Sequence, residues 1–550
     1  MKKDITMRKN SFIKGAFIST FGVIIAKMLG ILYIIPFHSV IGDEGGALYG
    51  YAYTIYLFFL SITTAGIPLA ISKVVSEYQA LGYYQVKKRV FYLGKKISLI
   101  LGISSFILIF SFAPLLARFI FSSSVDSSHL ADVVFVIRVI SIAFVIIPIL
   151  SVYRGYFSGH RIMSVQSISQ VLEQFFRVLV ILIGCFLVKH YFVGNVKLAV
   201  SLALLGATIG AFVSYFYLVD KYLKNKNRFS ERIRDVNEPI VSNKVILKKI
   251  MVYAIPFIMI DVFQSLYNYV DMFSVVKTLV KYCSYTMNDA EIVYSMFSTW
   301  AHKFNMIAIA ISSGIIISLV PNLTESLVKN KQNDINKHIN KALQILFFFA
   351  FPITLGVSFL SEPIWNLFYG ESLYGASVLH LNIYVGLVMA LFTTVVVCLQ
   401  TLKDYKGVFY SLFVGIVIKL CFNIRFVRIF LSIGIPPYYG FIVATLFGYT
   451  FSFIMGIIIL KIKYKINFEE VIRSFVDILC GSLLMILILS IIKIFVPISS
   501  ITRVNNFFII LFYGIMGAVI YFGFSYYTDL LQKVLGKNFL EKIKQRFIHK

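Results

Sequence analysis

The chain has 550 residues, of which 59% are hydrophobic and 14% charged, with a mean hydropathy of +0.84 and a formal net charge of +27. Soluble domains carry about a quarter charged residues, so this composition excludes a water-soluble globular protein. The basic excess does not indicate nucleic acid, because Lys and Arg collect in the cytoplasmic loops of membrane proteins.

In lipid no water satisfies exposed backbone groups, so a spanning segment is either a helix of about 20 apolar residues or a strand of a closed barrel. The apolar runs here are long and continuous, without the alternation of barrel strands. The fold class is therefore all-α integral membrane. A basic N-terminus precedes an apolar run over 12–36, too long for a signal-peptide core and read as an uncleaved first span. Further spans are expected near 47–72, 97–117, 131–153, 165–188, 197–219, 251–276, 292–320, 342–361, 377–402, 407–431, 438–460, 474–496 and 505–528. That makes about fourteen transmembrane helices, the seventh and eighth being the most polar.

Alternate connections sort by charge. The side holding both termini collects most of the 52 Lys and Arg residues, notably in 87–96, 221–249 and 461–465. The positive-inside rule places that side, and both termini, in the cytoplasm of a multi-pass plasma-membrane protein. Four regions follow: a six-helix lobe over 1–220, a basic linker over 221–250, a second six-helix lobe over 251–465, and two extra helices with a basic tail over 466–550. Six spans per lobe give the lobes the same orientation, so they are parallel repeats, which suits alternating access around a central cleft. An internal echo agrees: the Gly-Ile-Pro stretch at Gly66 aligns with Gly314, placing Glu77 on Glu325.

Ionisable groups within spans are costly and mark cavities or partners. Lys27 lies half-way through the first span, and Arg138 lies in the fourth. In the fifth, Gln166, Gln170, Glu173 and Arg177 fall on one helix face, with Glu173 and Arg177 spaced to pair at i,i+4. The seventh carries Asp261, Gln264, Asn268 and Asp271 on one face. His302 and Lys303 lie in the eighth, Lys419 and Asn423 in the eleventh. Each has a structural alternative: an interhelix bridge for Glu173 with Arg177, a hydrogen bond for Asp261 and Asp271, and a snorkelling stem for Arg138 and Lys419. Taken together, Lys27, Arg138, Glu173, Arg177, His302 and Lys303 suit a wet cavity that receives a phosphate or pyrophosphate. Asp261, Asp271 and Asn423 are the candidates for ion coupling. No nucleotide-binding loop, metalloprotease or nucleophile-elbow motif is present, so no catalytic residue is expected. The five scattered cysteines have no metal spacing. No cofactor is expected, and the energy source is a coupling monovalent cation, the membrane potential or the substrate gradient.

The run from Lys27 to Tyr78, with the stretches 138–163, 169–178 and 438–456, resembles the Gram-positive branch of the MurJ/SpoVB/YtgP polysaccharide-export family of the MOP flippase superfamily. The resemblance implies fourteen helices in two lobes and a C-terminal helix pair forming a groove for a polyprenyl tail. It also implies transfer of a polyprenyl-pyrophosphate-linked glycan, lipid II for MurJ-like members, to the outer leaflet. Lys27 matches the family's basic position in the first span, and His302–Lys303 a basic position in the eighth. Ile34 and Leu60 stand where arginine is frequent, so the pyrophosphate clamp departs from the pattern. Expected partners are that glycan, membrane lipids and cell-wall synthesis enzymes. The alternatives are a flippase for a teichoic, capsular or spore-related precursor, and a non-transporting scaffold for cell-wall or division enzymes.

Overall fold

The computed structural model describes residues 30, 33–121, 126–160, 162–225, 241–498 and 502–536. Lys27 and most of the first expected span lie outside the described residues. Among those described the chain is helical and without strands, and twelve helices are long and apolar enough to cross a membrane. It divides into two compact units, Met1–Lys277 and Thr278–Lys550.

The first unit opens with α1 (Ile34–Thr64), which bends where Gly42 takes φ 64°, a left-handed value that glycine tolerates. The helix stops at Ala65–Gly66, and α2 (Ile67–Ala80) restarts with proline in its first turn, as the Gly-Ile-Pro pattern predicts. Next come α3 (Tyr84–Ile120), α4 (Ser127–Ser141) and α5 (Ile147–Gly159). The expected single span over 131–153 is thus divided by a 3₁₀ turn at Ile142–Val145 and continues to Gly159. The pair α6 (Met163–Tyr191) and α7 (Val196–Lys224) packs along most of its length. Most of α8 (Asn243–Cys283) completes this unit. It begins inside the segment expected to be linker.

One contact in this unit depends on a missing side chain. A Cβ on Gly66 would lie 2.2 Å from the Ala254 carbonyl oxygen, so only glycine lets the α8 backbone come so close. Beside it, Lys249 pairs with Glu77 at 2.5 Å, and the Lys73 ammonium lies 3.8 Å from the Tyr253 ring centroid.

The second unit contains α9 (Met287–Ser295), a π-helical segment over Met296–Trp300, and α10 (His302–Val328). Gly314 lies within unbroken α10 with open space where a Cβ would stand, so the break at Gly66 is not repeated there. The unit continues with α11 (Gln332–Phe359), α12 (Ser361–Phe368), α13 (Gly375–Thr401), α14 (Tyr405–Ser432) and α15 (Tyr439–Tyr464). Helices α16 (Glu469–Phe495) and α17 (Arg503–Tyr527) fall where the two extra spans are expected, and α18 (Leu530–Leu535) follows. Large apolar side chains stay exposed along α3, α16 and α17, among them Ile107, Leu487 and Phe508. A soluble protein would bury them; a lipid-facing surface has no need to.

Candidate functional site

In the first unit the polar face of α6 is held against α7 by a Gly-xxx-Gly pair. A Cβ on Gly210 would stand 2.4 Å from the Glu173 carbonyl oxygen, and one on Gly206 would stand 2.9 Å from that of Arg177. Small residues at this spacing let two helix backbones meet closely in a membrane. Gln166, Gln170, Glu173 and Arg177 are all half-buried, as one shared face requires.

The expected i,i+4 pair does not form. Glu173 Oε2 instead accepts from Arg154 Nη2 at 2.6 Å. Arg154 also donates to Ser169 Oγ at 2.9 Å and to Ser214 Oγ at 3.2 Å, tying α5, α6 and α7 into one network. Sequence spacing missed Arg154 because the fourth span was expected to end at residue 153. Its signal is an arginine within an otherwise apolar and aromatic helix end, Tyr153-Arg154-Gly155-Tyr156.

Arg177 is left to aromatic company. It donates to the Tyr49 hydroxyl at 3.1 Å, and its guanidinium lies 5.3 Å from the Tyr53 ring centroid. Tyr49 and Tyr53 stack on each other at 5.3 Å, and Tyr53 on Tyr56 at 5.6 Å. Among the described residues Arg177 pairs with no carboxylate, and its Nε has no hydrogen-bond partner. Its charge is thus met by a hydroxyl and a ring face rather than by a carboxylate.

Arg138 packs elsewhere, donating from Nε to the Phe110 carbonyl at 3.3 Å with its guanidinium over the Phe110 ring. On α8, Asp261 and Asn268 are exposed, Gln264 is half-buried and Asp271 is buried, so the acidic face closes toward its C-terminal end.

In the second unit, His302 and Lys303 are half-buried in the first turn of α10, directly after the π-helical segment. Such segments are frequent at functional positions because the extra residue re-aims the side chains around it. Asn423 is buried on α14. Lys419, one turn before it, does not snorkel: it is wholly buried and donates to the Phe441 carbonyl at 3.0 Å and to Thr445 Oγ1 at 2.5 Å on α15. Its stem is too short to reach water from the middle of a helix. Where α14 begins and α15 ends, Asp404 caps α14 by accepting from the Gly407 N–H at 3.1 Å and pairs with Lys463 at 2.8 Å. Burial would raise this carboxyl, but Lys463, the Gly407 N–H and Tyr464 outweigh it and hold it below the ordinary carboxylate value.

An apolar cavity of about 290 Å³ opens between α11, α12, α16 and α17, lined among others by Phe349, Leu360, Met485 and Ile510. Gly356 and Gly514 both face open space there, which keeps the cavity wide.

The sequence profile of the family described as "Polysaccharide biosynthesis protein" matches residues 12–326, more than half of the chain. Over 538 residues the chain is 29% identical to the lipid II flippase MurJ of Bacillus subtilis (strain 168), covering 96% of this chain and 97% of that protein. It is also 29% identical over 234 residues to the stage V sporulation protein B of the same organism, covering 42% of this chain and 43% of that one. Among solved structures, a lipid II flippase MurJ in an inward closed conformation is similar with a TM-score of 0.66 at 18% identity, covering 94% of this chain and all of that one. An inward-facing multidrug resistance MATE family transporter of the MOP superfamily is similar with a TM-score of 0.63 at 15% identity, covering 82% and 98%. The chain belongs to the polysaccharide biosynthesis protein family, and its fold is that of the MOP superfamily.

Proposed function

We propose that this protein is a flippase that carries a lipid-linked oligosaccharide, lipid II, from the inner to the outer leaflet of the plasma membrane, with both termini in the cytoplasm. The observation that carries the reading is the likeness to the lipid II flippase MurJ of Bacillus subtilis across nearly the full length of both proteins. Two features support it. Arg177 offers a guanidinium that no described carboxylate neutralises, fit for a pyrophosphate. The cavity between α11, α12, α16 and α17 offers an apolar berth for a prenyl tail. In the first unit Lys27 and Arg177 are assigned to the headgroup, and Glu173 to holding Arg154 in place.

The test is the amount of lipid II accessible at the outer leaflet in cells depleted of this protein and its paralogues. Re-expression of the wild-type chain should restore it, and Arg177→Gln at equal membrane abundance should not. Unchanged outer-leaflet lipid II on depletion would overturn the substrate and turn attention to teichoic, capsular or spore-related precursors.

A further inference from the structure

Exposed side chains along α14 follow one stripe. Phe413, Val417, Leu420 and Ile424 step by four, three and four, and each is exposed. That spacing keeps them on one face of the helix, where they offer a surface suited to an acyl chain. The next step of four reaches Arg428, with Arg425 beside it, and both arginines are exposed.

The basic end of the stripe has a neighbour in the last turn of α8. The Arg428 guanidinium lies 4.7 Å from the Tyr282 ring centroid, and the Lys281 ammonium lies 5.3 Å from the same centroid. The Arg425 guanidinium lies 5.9 Å from the Phe422 ring centroid. Among the described residues none of these three cations pairs with a carboxylate. Asp289, close by in the chain, accepts from Thr286 Oγ1 at 2.6 Å. The helix dipoles favour a cation at the C-terminal end of α8 and of α14, but not two cations against one ring. Like charges so placed repel, and an anion between them turns that repulsion into attraction. Arginine takes phosphate oxygens in a planar fork, and lysine takes them as a point charge.

We propose that this end of α14 is a docking site for one anionic phospholipid. An acyl chain lies along the stripe from Phe413 to Ile424, and Arg425, Arg428 and Lys281 hold the phosphate. The order of the stripe, apolar and then basic, selects a lipid over a soluble anion. Bound there, the lipid joins the end of α8 to α14, whose facing charges otherwise push them apart. The site depends on neither the flippase reading nor the identity of the transported glycan.

The experiment follows thermal unfolding of the purified full-length protein in uncharged detergent, with phosphatidylglycerol or phosphatidylcholine added at increasing mole fraction. Phosphatidylglycerol should raise the midpoint saturably, and phosphatidylcholine should not. Arg428→Gln should weaken the apparent phosphatidylglycerol affinity about fivefold, and the double variant with Arg425→Gln about twenty-fivefold. Arg473→Gln, which removes an exposed arginine from α16, should keep the wild-type response. An equal loss of affinity in Arg473→Gln would reduce the effect to net charge and overturn the site. Equal stabilisation by glycerol phosphate would overturn the lipid in favour of a soluble anion. A wild-type midpoint indifferent to phosphatidylglycerol would overturn the proposal without any variant.

Discussion

Arg154 Nη2 lies 2.6 Å from Glu173 Oε2, and this single ion pair decides what Arg177 is free to do. Had Glu173 closed on its own helix, Arg177 would be a neutralised structural group. With Arg154 holding the carboxylate, Arg177 keeps its charge for something else. Glu173→Gln should therefore cost stability, about 1–3 kcal/mol, by leaving half-buried Arg154 with only serine partners. The double exchange Arg154→Glu with Glu173→Arg should recover part of the loss in thermal unfolding. Exchanging Glu173 with Arg177 should not.

Helix contact through Gly206 and Gly210 sets where those side chains stand. Gly210→Ala would put a methyl 2.4 Å from the Glu173 carbonyl and must move a backbone. It should lower both the unfolding midpoint and complementation of a flippase-depleted strain. Gly314→Ala is the contrast: with open space around its Cβ, it should leave stability unchanged or raise it by about 0.5–1 kcal/mol.

The apolar cavity of the second unit can be filled without collision. Gly514→Phe has open space at its Cβ and should occupy the space between α11 and α17 while the protein still reaches the membrane. Complementation should then fall by tenfold or more, corresponding to about 1.4 kcal/mol or more of lost tail binding. Wild-type growth would remove the cavity from the substrate path.

Asp404 gives a pH dependence of known sign. Its carboxyl is held below the ordinary value in the folded chain, so its contribution is fully present above the unfolded value, about 3.9. The contribution is lost as pH falls through the lowered folded value. Asp404→Asn should lower the midpoint at pH 7 and show a shallower decline than wild type between about pH 5 and the acid limit.

The sequence showed most of the span pattern, because membrane-length apolar runs leave the backbone few alternatives to a helix. It showed the break before Pro68 for an equally local reason, since proline fixes where a helix starts. Partnerships across helices were less legible. The i,i+4 rule sees only one helix, so it paired Glu173 with Arg177 and could not weigh Arg154, which arrives from α5. For Lys419 the length of the stem is visible in a sequence and allows snorkelling, whereas the oxygens of Phe441 and Thr445 that hold it are not visible there. The alignment of Gly314 with Gly66 matched letters where the surroundings differ: one glycine meets a backbone and the other meets nothing.

That meeting at Gly66 has a mechanical side. Where a backbone rests on a backbone, no interlocking side chain must change rotamer for the surfaces to part. The adhesion beside it comes from the Lys249–Glu77 pair and from Lys73 over Tyr253. Lys249 and Glu77 are partly exposed, so the ions of the medium screen them. The α2–α8 contact is therefore a latch rather than a joint, with its grip set by ionic strength more than by fit.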